Sequence, residues 1–164
     1  GTKLEFTRSG EWKEVDCRRP SVPTPVIPAA IMKYVKDNYP DAVVNPIGKK
    51  IAAYYGCLLL RPSNVLAFDN PENPTIIEDF IKAIGGTPVI YPMRNECCGA
   101  YVSLKDENLP KKRSTAILNS AKEKGAELVI TACPLCLYNL QQNGDGILPT
   151  VYFTELLAEA LGVK

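Results

Sequence analysis

The sequence predicts an α/β fold: a parallel sheet of about four strands flanked by helices, a Rossmann-like three-layer domain over residues 49–164. An irregular N-terminal arm over residues 1–48 precedes it. Three observations predict this. Short apolar runs lack polar alternation, as in strands covered on both faces. The segments between them repeat apolar residues at helical spacing. The two kinds of segment alternate, as parallel crossovers require.

The arm comes first. "CRRPSVPTPVIP" (17–28) carries four prolines and reads as extended. A short helix follows, with Ile27, Ile31, Tyr34 and Val35 near helical spacing and Pro40 as its stop. "KIAAYYGC" (50–57) is a buried strand. "NPTIIEDFIKAIGG" (73–86) is a helix with Asn73 as N-cap, Pro74 at its first position and Gly85 at its end. Its apolar face is Ile76, Ile77, Phe80, Ile81 and Ile84. "TPVIYP" (87–92) is a strand. "LPKKRSTAILNSAKEKG" (109–125) is a helix closed by Gly125. "AELVITAC" (126–133) is a strand and "PLCLYNLQQNG" (134–144) a helix with Pro134 at its first position. "PTVYF" (149–153) is a strand, and "TELLAEALG" (154–162) a helix capped by Thr154.

Composition removes several function classes. The 164 residues are 46% hydrophobic and 23% charged, an ordinary globular balance. A net charge of +1 supplies no field for nucleic acid or an anionic membrane surface. There is no run of membrane-spanning length and no secretory signal pattern, so a cytoplasmic protein without direct membrane insertion is expected. The chain opens Gly1-Thr2, which reads as the end of an excised fragment. It has no histidine, so imidazole bases and histidine-ligated metals are excluded. Neither GxGxxG nor a Walker A loop is present.

Chemistry therefore falls to the six cysteines. "NECCGAY" (95–101) sets Cys97 beside Cys98, a pair whose geometry suits a mutual disulfide badly. Cys57 ends the first strand, the pair follows the second, and Cys133 and Cys136 straddle the third strand and its helix. Strand C-termini are the ligand edge of an open parallel sheet, so three segments deliver five thiols to one edge. Cys17 stands apart in the arm and reads as a spare thiol. Iron–sulfur clusters and thiolate zinc sites both use thiolates gathered this way. A helix N-terminus lowers a thiol's pKa, which suits Cys133 and Cys136. Gly99 and Gly56 leave room for a bulky group. Arg61 and Arg94 lie near the cysteines in sequence and are expected to be ordinary loop arginines, the alternative being a counter-charge to a thiolate cluster or a hold on a substrate carboxylate or phosphate. "KKR" (111–113) reads as a solvated first helical turn, and Phe6 and Trp12 as packing on an absent neighbour.

The order Cys57, Cys97-Cys98-Gly99, Cys133-x-x-Cys136, with "YYGCLLLRP", "FDNPENPT", "ECCGA", "ACPLC" and "VYFTELL" around it, resembles the CCG domain of the heterodisulfide reductase B subunit, its C-terminal repeat. The resemblance covers residues 49–163. It implies a noncubane 4Fe-4S cluster held by Cys57, Cys97, Cys98, Cys133 and Cys136, with catalysis through that cluster. It implies an iron–sulfur oxidoreductase that passes electrons to a small-molecule disulfide, within a complex with subunits C and A. The family protein carries this block twice and the present chain once, so residues 1–48 read as the end of a first repeat plus a connector, and the isolated domain as inactive by itself. Two alternatives stand beside this reading. One is a structural zinc site, for which five thiols exceed the four ligands needed. The other is a metal-free CxxC thiol–disulfide oxidoreductase built on "CPLC", which leaves Cys57, Cys97 and Cys98 without a role.

Overall fold

A computed structural model of the chain describes residues 2–6, 12–16, 26–38 and 40–163. Within the arm, β1 (Thr2–Phe6) and β2 (Trp12–Asp16) pair antiparallel, with Phe6 opposite Trp12. The arm thus holds more regular structure than its prolines predict. Of the four prolines in 17–28, Pro28 lies in the first turn of the next helix, where its missing N–H costs no helical hydrogen bond, and the other three lie outside the described residues. The expected helix forms as α1 (Val26–Asn38), which buries Met32 and Val35. Cys17 and the side-chain packing of Phe6 and Trp12 lie outside what the structure describes.

The remainder alternates as expected. The strands are β3 (Lys50–Tyr54), β4 (Thr87–Val89), β5 (Leu128–Thr131) and β6 (Thr150–Tyr152). They form one parallel sheet in the order β4-β3-β5-β6. The helices are α2 (Ser63–Leu66), α3 (Ile76–Ala83), α4 (Asn108–Glu123), α5 (Pro134–Asn143) and α6 (Phe153–Ala160). The fold is α/β, a four-stranded parallel sheet flanked by helices.

Alternation along the central strands builds the layers. Ile51, Ala53 and Tyr55, with Leu128 and Ile130, face a core closed by α1, α3 and α6 through Val35, Phe80, Ile81 and Leu156. Ala52, Tyr54 and Val129 face the other core, closed by α4 and α5 through Ile117, Leu118 and Leu140. Near-continuous apolar strands are what a sheet covered on both faces demands. From β3 the chain winds outward to β4, then crosses back to β5 on the other side of β3. The winding reverses between β3 and β5, and that reversal opens a crevice at their C-terminal ends.

Two helix starts differ from expectation. Asn73 does not cap α3; the helix begins at Ile76, and the Asp69 carboxylate accepts the N–H groups of Thr75 and Ile76 at 2.6 and 2.8 Å. A carboxylate from outside the helix meets the same orphan donors and also favours the positive dipole end. Thr154 lies inside the first turn of α6, which starts at Phe153; there Glu155 Oε1 accepts the Tyr152 N–H at 2.8 Å. The longer carboxylate reaches back to a donor that a threonine inside the turn cannot meet.

Phe80 is fully buried and packs edge-on against Phe153, with ring centroids 5.8 Å apart. Phe80→Ala is expected to destabilise the domain by about 3–5 kcal/mol. A urea unfolding midpoint shifted by much less would show that α3 and α6 close over the vacated space.

Candidate cysteine centre

The β3–β5 register sets Tyr54 opposite Thr131. Cys57 lies three residues beyond the first and Cys133 two beyond the second, so both emerge at the crevice. Cys97 and Cys98 come in from the long connection after β4. Cys136 is carried by the first turn of α5, which Pro134 starts. All five are free thiols; Cys98 and Cys136 are buried, and Cys57, Cys97 and Cys133 are half-buried.

Their contacts form two neighbouring groups, Cys98, Cys133 and Cys136 in one and Cys57 with Cys97 in the other, linked through the Cys97–Cys98 peptide. The Cys98 and Cys136 sulfurs are 3.7 Å apart in a hydrogen-bond contact. The Gly99 N–H donates to Cys97 Sγ at 3.3 Å. Cys136 is also hydrogen-bonded to Cys133, and Cys57 to Cys97. Gly56 adopts φ +64°, and a Cβ there would sit 3.0 Å from Cys136 Sγ. The backbone passes the sulfur at this distance only because the residue is glycine.

Ionisation is divided unevenly among the thiols. Cys98 is held down to about 6, chiefly by its hydrogen bond with Cys136, against its own burial. The Ala100 N–H and the side chains of Asn139 and Tyr54 add to this. Cys133 is likewise held down to about 6, first by Cys136 and then by the N–H groups of Cys136 and Leu135 at the start of α5. Cys136 is raised by those same bonds to Cys133 and Cys98, and so keeps its proton. Cys57 is pushed up to about 11, first by burial and then by its hydrogen bond to Cys97. One protonated thiol thus serves two thiolates, which limits the negative charge placed in a half-dry site.

The supporting residues were mostly not marked in the sequence. Asn139 donates to the Cys98 carbonyl at 2.7 Å and to Ser114 Oγ at 3.3 Å. It lies one turn beyond Cys136 on α5, and this i, i+3 spacing is the signal that could have found it. The Tyr54 hydroxyl donates to the Glu96 carbonyl at 2.8 Å, and the Tyr152 hydroxyl to the Ala132 carbonyl at 2.9 Å. Arg94 is not the ordinary loop arginine expected. Its guanidinium is buried, 2.6 Å from Glu78 Oε1 and 2.6 Å from Asn73 Oδ1. Glu78 Oε2 accepts from the Tyr55 hydroxyl. A buried carboxylate demands such partners, and nothing in the local sequence says which arginine meets it. Arg61 is exposed. "KKR" is solvated as expected, with Lys111 3.3 Å from Asp145 and Arg113 3.7 Å from Glu96.

The donor set fits a thiophilic group. Five thiols from three segments share one crevice, with glycine where the backbone comes closest to a sulfur. Among the described residues, no three histidine, cysteine, aspartate or glutamate side chains are drawn together tightly enough to hold a metal ion as they stand.

The domain is thus a doubly wound α/β fold with five free cysteines near its switch point. Residues 51–141 match the family model of the cysteine-rich domain, CCG, and the chain belongs to that family. Residues 1–58 match a second family, described as putative beta-lactamase-inhibitor-like, PepSY-like. The chain is 34% identical over 123 residues to the 8-methylmenaquinol:fumarate reductase membrane anchor subunit of Wolinella succinogenes, covering 70% of this chain and 43% of that protein. It is 27% identical over 135 residues to the B subunit of the ferredoxin:CoB-CoM heterodisulfide reductase of Methanosarcina mazei, covering 74% and 44%. An Archaeoglobus profundus protein, named as like the heterodisulfide reductase B subunit, is 27% identical over 128 residues, covering 70% and 43%. The chain thus spans less than half the length of these relatives. No helix among the described residues is long and apolar enough to cross a membrane.

The thiol ionisation predicts a pH profile for the metal-free chain. Cys98 and Cys133 fall from an ordinary 9.0 to about 6 on folding. The unfolded chain therefore holds more protons across that window, and stability rises with pH from about 6 to about 9. Above 9 the raised Cys57 and Cys136 reverse the slope, because unfolding then ionises them. Urea midpoints measured without oxygen across this range should show the rise, and Cys98→Ser or Cys133→Ser should flatten it. A level profile in the parent chain would contradict the assignment.

Proposed function

We propose that this chain is the cluster-binding domain of a protein like the heterodisulfide reductase B subunit. Cys57, Cys97, Cys98, Cys133 and Cys136 hold a noncubane 4Fe-4S cluster. When bound, that group supplies one-electron transfer and iron with affinity for thiolate sulfur. The reading assigns electron delivery to a small-molecule disulfide, which two electrons and two protons convert to two thiols. Subunits resembling C and A of such complexes are the proposed partners and source of electrons, in the cytoplasm. The isolated domain binds the cluster; turnover belongs to the complex. The observation that carries this is the meeting of five free motif thiols at the switch point of a CCG-family fold.

The chain's own residues have definite parts. The N–H groups at the start of α5 stabilise Cys133 as thiolate, ready to bind iron without first losing a proton. Cys136 shares its proton with two neighbours, and metal binding displaces that proton. Gly56 keeps a side chain away from the Cys136 sulfur, and Gly99, at φ +82°, lets the loop after Cys98 pass close to Pro110. Asn139 and Tyr54 hold the Cys97–Cys98 segment by its backbone carbonyls.

A second reading rests on the relative at 34% identity, whose name places it in a quinol:fumarate reductase. There the same domain would relay electrons between a quinol and a partner enzyme, with no disulfide consumed.

The test is iron and sulfide analysis of protein purified without oxygen, with its visible spectrum. About four iron with matching sulfide is expected. Cys97→Ala with Cys98→Ala should abolish both. One zinc and no sulfide would support the structural zinc site, and no metal with reactive thiols the CxxC oxidoreductase. Mixing the dithionite-reduced domain, within its complex, with a small disulfide should reoxidise the cluster. Reoxidation by a quinone analogue and not by the disulfide would favour the second reading.

A further inference from the structure

One carboxylate stands behind two of the cysteine segments. The β3–β4 ladder ends at Ala52 opposite Val89, well before the cysteines. Beyond it the two chain segments are joined through Arg94 and Tyr55, and through the Tyr54 hydroxyl, which donates to the Glu96 carbonyl at 2.8 Å. The Arg94 carbonyl accepts the N–H groups of Tyr55 at 2.8 Å and Gly56 at 3.4 Å. The Arg94 guanidinium meets Glu78 Oε1 at 2.6 Å, and the Tyr55 hydroxyl donates to Glu78 Oε2. The Tyr55 hydroxyl in turn accepts the Ile77 N–H at 2.9 Å, which ties the whole to α3. Tyr55 stands two residues before Cys57, and Arg94 three before Cys97. Glu78 is 3% exposed and Arg94 7%, so solvent replaces neither partner.

We infer that Glu78 is a positioning residue: its two carboxylate oxygens, each holding one cysteine segment, set the approach of Cys57 to Cys97. The chemistry favours this over plain packing. A buried ion pair contributes little net stability compared with apolar residues of the same shape, but its directional bonds select one geometry. Each oxygen here is committed to a different segment, so loss of either bond leaves the anchoring to the bonds at the Arg94 and Glu96 carbonyls and loosens one segment against the other. The far thiol, Cys133, is carried by β5 and α5 and has no contact of this kind with Glu78. The inference rests on the cluster reading only for its consequence; the geometry stands in the metal-free chain.

The experiment uses the parent chain, Tyr55→Phe, Glu78→Gln and Arg94→Lys. Tyr55→Phe removes one tie and leaves the ion pair in place. In the metal-free chain, iodoacetamide alkylation of each cysteine is followed by mass spectrometry. Cys57 and Cys97 should react about fivefold faster in the variants, the opening expected from one lost buried hydrogen bond, with Cys133 unchanged. Reconstitution with iron and sulfide should then give lower iron per chain and an altered visible spectrum. Unchanged Cys57 and Cys97 rates would overturn the inference. So would equal acceleration of Cys133, which marks general loosening, or unaltered loading and spectrum in variants of a parent that loads. A parent that takes up no iron, with selective acceleration still seen at Cys57 and Cys97, would sink the cluster reading and leave the positioning role standing.

Discussion

Parallel pairing of β3 with β5 sets Tyr54 beside Thr131, and the site follows from that register. Parallel strands leave a sheet at the same edge, so the loops after both open into one space. Because the chain reverses its winding between these two strands, no crossover helix covers that space. A slip of one residue would exchange the two faces of β5, burying Val129 where Ile130 now sits. The apolar cores on both faces forbid it. Thiol placement is thus enforced by hydrophobic burial that involves no thiol.

The crevice is finished by polar groups that the apolar layers cannot supply. Glu78 is held in the core at a cost, since burial raises its pKa and opposes the charged form. Tyr55 and Arg94 act against that shift, and the carboxylate they satisfy faces β3 and the 90–99 connection together. On the opposite face Asn139 does a similar task with neutral bonds, joining α5 to the Cys98 carbonyl and to Ser114 of α4. Three secondary-structure layers therefore meet the cysteine segments through hydrogen bonds with fixed direction. Directionality, which hydrophobic contacts lack, is what a ligand sphere needs.

The thiols divide their protons unevenly. Two lie below the ordinary thiol range, one keeps its proton between them, and Cys57 waits as a neutral thiol. Such a set places as little negative charge in the half-dry site as its hydrogen bonds allow. The chain is similar both to a subunit named for a menaquinol:fumarate reductase and to one named for a heterodisulfide reductase.

Much of this was legible in the amino-acid order, because it depends on periods and counts. Apolar runs without alternation mark strands covered on both faces, helical spacing marks the crossovers, and cysteines at strand ends mark the edge where they meet. Gly85, Gly125 and Pro134 mark helix boundaries that the structure keeps. Pairings over long separations were not legible. Asp69 replaces Asn73 at the start of α3 because a carboxylate seven residues upstream reaches its free N–H groups. Arg94 turns inward because a buried carboxylate sixteen residues earlier requires a cation. Neither follows from local propensity. By itself the sequence determined which segments fold, how they alternate and which five thiols share an edge. Only the tertiary structure decided which thiol keeps the proton and which carboxylate ties the segments together, since both depend on distances of a few ångströms between residues far apart in the chain.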